Sequence, residues 1–101
     1  MEGMTQGTPP TVVRIYTRRW CGYCFAAKRL FAGLGVEFEE IPVDRDPELR
    51  GEVSATAGNW PTVPMIFIRD QFVGGYTEAA ALHRSGKLEA LIHPEVAPTN
   101  G

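Results

Sequence analysis

A chain of 101 residues with 44% hydrophobic and 22% charged side chains is long enough to close one core and too short for two domains, which excludes wholesale disorder. A formal net charge of −2 lacks the clustered Lys and Arg that phosphate backbones require, which excludes a basic nucleic-acid module. The only two cysteines lie three positions apart and cannot staple a secreted scaffold, and neither a leader pattern nor an apolar run near the ~20 residues that span a bilayer is visible, so no membrane partner and a reducing cytoplasm are expected.

Residues 1–10 are small, polar or proline and read as a flexible tail; residues 94–101 read as a second, with the domain expected over 11–93. The β-branched run Val12-Val13-Arg14-Ile15-Tyr16-Thr17 predicts a strand. Ala27, Leu30, Phe31 and Leu34 fall at helical three-and-four spacing and predict a helix over 22–34, which Gly35 stops. Alternation through Val36, Phe38, Ile41 and Val43 predicts a second strand over 36–43, and the order strand, helix, strand favours a right-handed parallel crossover. Asp46 as N-cap, Pro47 in the first turn and the acidic Glu48 predict a helix over 47–57, with Gly58-Asn59 as its stop. The short apolar segments 64–69 and 71–74 meet at Asp70 in the pattern of a tight antiparallel hairpin. Thr77 is expected to cap a third helix running to about His83, and 87–92 to add a last helical turn. The sum is an α/β fold of βαβ-ββα order, a four-stranded mixed sheet with helices on both faces.

The chemistry sits where the first strand hands over to the first helix, at Trp20-Cys21-Gly22-Tyr23-Cys24. A cysteine at a helix N-terminus meets unpaired backbone N–H groups and the positive end of the helix dipole, and both favour the thiolate. Arg18 and Arg19 precede it and act in the same direction. Cys24, one helical turn on, shares the face of Cys21 and is the natural resolving thiol. A zinc site competes for this spacing, but it needs four ligands, and the only histidines, His83 and His93, stand ten apart. Two inert core cysteines are the other structural alternative.

Ile15-Tyr16-Thr17 leading into Cys21-Gly22-Tyr23-Cys24, followed by Thr62-Val63-Pro64 and Gly74-Gly75, makes the chain from about Val12 to Ile92 resemble a glutaredoxin. The resemblance implies a thioredoxin-like fold, a cis peptide bond before Pro64 facing the cysteines, and glutathione as co-substrate in a thiol–disulfide exchange with Cys21 and Cys24 as the catalytic pair. Thioredoxin is the nearest rival through Trp20-Cys21-Gly22. Tyr23 stands where thioredoxin has proline, however, and the segment ahead of the first strand is too short for the additional strand and helix of that family.

Glutathione carries two carboxylates, an ammonium group and two amide bonds, and is met by cationic side chains, a strand edge and a helix N-terminus. By the resemblance, Arg18 meets the glycine carboxylate, and Val63, within Thr62-Val63-Pro64, offers backbone N–H and C=O to the cysteinyl part. Tyr23 lines the groove. Gly75 permits close backbone approach, and Tyr76 and Thr77 open a helix whose N–H groups hold the γ-glutamyl carboxylate. Many relatives place acidic residues at this helix start, whereas here Glu78 follows Thr77, which leaves the amine contact unassigned. Asn59-Trp60-Pro61-Thr62 resembles the single-cysteine branch of the family, and its alternative reading is a loop capped by a packed indole. The expected activity is reduction of protein–glutathione mixed disulfides and protein disulfides by a monomer. The competing expectation is a carrier in which Cys21 of two subunits and two glutathiones bridge a [2Fe–2S] cluster.

Overall fold

The computed structural model describes residues 11–93; the segments 1–10 and 94–101, expected as tails, lie outside them. Strand β1 (Val13–Thr17) leads into helix α1 (Gly22–Gly33), strand β2 (Phe38–Pro42) and helix α2 (Pro47–Thr56). The hairpin β3 (Met65–Ile68) and β4 (Gln71–Gly74) follows, then helices α3 (Tyr76–Arg84) and α4 (Lys87–Ile92). The sheet order is β2-β1-β3-β4. β2 runs parallel to β1, with Val13 opposite Phe38 and Thr17 opposite Pro42, and β3 runs antiparallel to β1, with Val13 opposite Ile68. This is the expected four-stranded mixed sheet. Pro42, which has no N–H to give a ladder, is accommodated because β2 is an edge strand.

Local chemistry sets the element ends. Helix α1 closes in a Schellman motif: Gly35 N–H donates to Ala32 O at 3.0 Å and Val36 N–H to Phe31 O at 3.0 Å. Gly35 adopts the left-handed φ of +71° this requires. Tying Val36 back to the helix is why β2 starts at Phe38, two residues later than the alternation predicts. Helix α2 begins as expected, with Asp46 Oδ1 accepting the Leu49 N–H at 3.0 Å and Pro47 in the first turn. The third helix departs from expectation. Thr77 is not its cap; Gly75 is, and Glu78 Oε1 accepts the Gly75 N–H at 2.9 Å. A carboxylate reaching back from the first turn satisfies the donor that a Thr77 cap would have left two residues outside the helix.

The hairpin turns through Arg69-Asp70, with Ile68 paired to Gln71. Arg69 reads in the sequence as one more surface cation, but its guanidinium donates to Leu91 O at 2.7 Å and Ile92 O at 3.1 Å, closing the C-terminus of α4. Two apolar layers sandwich the sheet. Val13, Ile15, Ile66 and Ile68 pack with Ala27 and Phe31 of α1, Ala79 of α3 and Leu88 of α4. On the other face Tyr16, Met65 and Phe67 pack with Val53 of α2, Val63 and Cys24. The two-faced burial explains why β3 is buried at every position. Among the described residues no helix is long and apolar enough to cross a membrane.

Gly74 ends β4 with φ +128°, and a Cβ added there would lie 2.6 Å from the Glu78 Cβ, part of the α3 cap. Gly74→Ala is therefore expected to lower stability by about 2 kcal/mol through the combined strain and overlap. A urea midpoint unchanged from the parent chain would contradict this reading of the β4–α3 junction.

Candidate active site

Cys21 is the N-cap residue of α1, with extended backbone (φ −114°, ψ 107°). Its sulfur occupies the place a serine or aspartate oxygen takes in ordinary caps and accepts the Cys24 N–H at 3.1 Å. A sulfur held at an orphan N–H of the first turn is where negative charge is best tolerated. Cys21 is half-buried, and its Sγ lies 3.8 Å from Val63 O. The Val63–Pro64 peptide is cis, as the family resemblance implies.

Cys24 is only 2% exposed. Burial pushes its thiol up to about 12, the hydrogen bond to the Cys21 side chain adds to this, and a bond from the Arg18 backbone offsets part of it. Both cysteines are free thiols. Cys21 is half-buried at a helix N-terminus, and Cys24 is buried behind it and keeps its proton at neutral pH. The asymmetry leaves Cys21 open to an incoming disulfide and screens Cys24 from it.

A groove of about 330 Å³ opens over Cys21, lined by Arg18, Tyr23, Arg50, Thr62 and Val63. It gathers four of the predicted groove residues, Arg18, Tyr23, Thr62 and Val63, from two separate chain segments. The loop carrying Thr62 and Val63 is anchored from α2: Ser54 Oγ donates to Trp60 O at 2.6 Å, and Ser54 O accepts the Asn59 and Trp60 N–H groups. Trp60 packs edge-on against Phe72 with centroids 5.1 Å apart, so the packed-indole reading of Trp60-Pro61 holds. Its Nε1 is buried without a hydrogen-bond partner among the described residues.

Gly75 and Tyr76 adjoin the groove rather than line it. A Cβ at Gly75 would meet Pro64 O at 3.5 Å, and the Tyr76 ring stacks on Tyr23 with centroids 6.3 Å apart. Thr77 is exposed on the first turn of α3 and is not among the groove residues. Arg50 was missed from the sequence. Its guanidinium donates to Pro61 O at 3.4 Å and contributes a second cation to the groove. No local pattern marks it, because its place depends on how α2 crosses the sheet. Arg18 is exposed, with Nη1 donating to Arg19 O at 3.3 Å. Arg19 instead pairs with Asp44 at 3.1 Å, and its guanidinium holds the Asp44 carboxyl below the ordinary carboxylate range.

The Glutaredoxin family model matches residues 13–73. A glutaredoxin from Pseudomonas aeruginosa is 50% identical over 84 residues, spanning 83% of this chain and 96% of that protein. Glutaredoxin 3 of Escherichia coli K12 is 41% identical over 80 residues, spanning 79% and 95%. Among solved structures, a buckwheat glutaredoxin–glutathione complex superposes with a TM-score of 0.77 at 28% identity, covering 85% of this chain and 80% of that one. The solution structure of a glutaredoxin from Brucella melitensis is 45% identical with a TM-score of 0.72, covering 81% and 88%.

Proposed function

This chain belongs to the glutaredoxin family of thiol oxidoreductases, and we propose that it reduces protein–glutathione mixed disulfides and protein disulfides at the expense of glutathione, in the cytoplasm. The observation that carries the reading is the burial asymmetry of the cysteines: Cys21 half-open at the helix N-terminus, Cys24 buried and protonated. The glutathione complex of the buckwheat relative supports the choice of thiol.

In the first exchange the Cys21 thiolate attacks the glutathione sulfur of a glutathionylated protein. A Cys21–glutathione disulfide forms and the protein leaves as thiolate. A second glutathione thiolate attacks that glutathione sulfur, releases Cys21 and yields glutathione disulfide. With a protein disulfide, Cys21 forms a mixed disulfide with one substrate sulfur and the other leaves. Cys24 then attacks the Cys21 sulfur, and its proton goes to the departing thiolate. The resulting Cys21–Cys24 disulfide is reduced by two glutathiones. The groove supports the glutathionyl half with the Val63 backbone and the Arg18 and Arg50 guanidiniums, cations suited to carboxylates.

Turnover of a glutathionylated peptide coupled to glutathione tests the reading. Arg18→Ala should lower kcat/KM for glutathione about tenfold, the scale of one charge-assisted contact. Arg84→Ala, on the exposed end of α3, should leave it unchanged. Equal values for both variants would remove Arg18 from the groove, and no glutathione-dependent turnover in the parent chain would overturn the proposal. The [2Fe–2S] alternative draws on the same asymmetry, since each chain offers one accessible sulfur to a bridged cluster. Anaerobic reconstitution with iron, sulfide and glutathione separates the two. A colourless, iron-free monomer counts against the cluster, and a coloured dimer lost in Cys21→Ser supports it.

A further inference from the structure

Two clefts meet at Cys21. The groove described above opens toward Thr62 and Val63. The second, of about 460 Å³, lies toward the edge strand β2, reaches Cys24 and is walled by Trp20, Phe25, Lys28 and Glu40. Trp20 is 94% and Phe25 60% exposed. Trp20 also holds a left-handed φ of +57°, an unfavourable conformation for a residue with a side chain, so the loop keeps a large indole in water at a conformational cost. Bulky rings left uncovered beside a reactive sulfur are the usual mark of a surface that another molecule covers.

The charges around this cleft divide unevenly. Arg19 is paired with Asp44, and Lys28 with Glu40, each at 3.1 Å. Glu40 is further occupied by the Thr17 hydroxyl at 2.8 Å. Beside this cleft Arg18, which lines it, and Arg29, which sits 5.9 Å from the Phe25 ring centroid, have no carboxylate partner among the described residues. These two cations remain available at the cleft although the chain as a whole is net negative.

We infer that the second cleft receives the polypeptide part of the disulfide substrate and selects a segment in which acidic residues flank an apolar side chain beside the reacting cysteine. The apolar side chain covers Trp20 and Phe25, and the acids meet Arg29 beside the Phe25 ring, while Arg18 stays with the glutathionyl carboxylate; such complementarity sets partner choice and encounter rate more than raw affinity. The glutathionyl part keeps the groove at Thr62 and Val63. This inference rests on the redox reading above and assigns its protein-side specificity.

The test uses the full chain and three substrates. They are a small mixed disulfide of glutathione with 2-mercaptoethanol, a glutathionylated peptide with acids and a Leu beside the cysteine, and the same peptide with lysines for the acids. The acidic peptide should show a KM about fivefold below the basic one, and the gap should narrow as salt is raised. Phe25→Ala and Arg29→Glu should each raise the KM for the acidic peptide about fivefold, as removal of an anchor or a complementary charge does. Both should leave turnover of the small disulfide near the parent value. Equal KM values for the two peptides, or variants that slow all three substrates alike, would overturn the inference while leaving the redox reading intact. Failure to turn over the small disulfide would instead overturn the redox reading beneath it. A concentration-dependent dimer seen by sedimentation and lost in Phe25→Ala would assign the cleft to a second copy and overturn a substrate role.

Discussion

Cys21→Ser abolishes turnover of glutathionylated substrates, and Cys24→Ser keeps a substantial part of it. A serine at position 21 still places an oxygen where the cap accepts the Cys24 N–H, now 3.1 Å from the sulfur, so the helix start survives and the loss is chemical. The hydroxyl does not ionise at neutral pH and cannot hold a mixed disulfide. The glutathione route never uses Cys24 as a nucleophile, because the second glutathione does the resolving. On intramolecular protein disulfides the Cys24→Ser variant should fail or stall, since those products are released by Cys24. Steady-state rates on both substrate types, with thermal unfolding as a control for the buried position 24, check this. Equal losses in the two variants on glutathionylated peptide would reject the assignment of roles.

Phe31→Ala is expected to cost about 3–5 kcal/mol, the range for emptying a fully buried aromatic site. Phe31 has no exposed surface and packs where α1 meets the sheet and the C-terminal helices, among Val13, Ile15, Ile66, Ala79 and Leu88. A buried cluster drawn from four further elements leaves little freedom for collapse into the space. A domain of this size has about 5–15 kcal/mol in total, so the variant should be marginal at 37 °C, and chemical denaturation should show a midpoint far below that of the parent chain. A shift equivalent to less than about 1 kcal/mol would contradict the placement of Phe31 at the centre of this layer.

The elements were legible in the sequence wherever one residue sets a local geometry. Asp46-Pro47 marked the start of α2, Gly35 the end of α1, and the β-branched run the strand β1, each within a residue or two. Cys21 as a helix cap was readable for the same reason, because the strand-to-helix handover fixes its surroundings. Thr77 was misread as a cap because threonine is a good capping residue in isolation. The Gly75 N–H is instead satisfied by Glu78 across a tight β4–α3 junction, and only the fold shows that the helix starts two residues earlier. Arg50 and Arg69 were opaque for a different reason. Both are exposed arginines on helix or turn, and their partners, Pro61 O and the last carbonyls of α4, are brought to them by long-range packing. The second cleft likewise forms only when β2 is laid beside β1, which sets Glu40 next to Lys28.

The central claim is that Cys21 takes the glutathionyl group while Cys24 stays protonated behind it. The most direct measurement is to mix the reduced chain with a glutathionylated peptide in the absence of free glutathione, quench with acid within a second, and map the adducts by mass spectrometry of proteolytic fragments. The account predicts glutathione on Cys21, free peptide thiol in equal amount and an unmodified Cys24 at the earliest times. Peptide rather than glutathione attached to Cys21, or glutathione first appearing on Cys24, would contradict it.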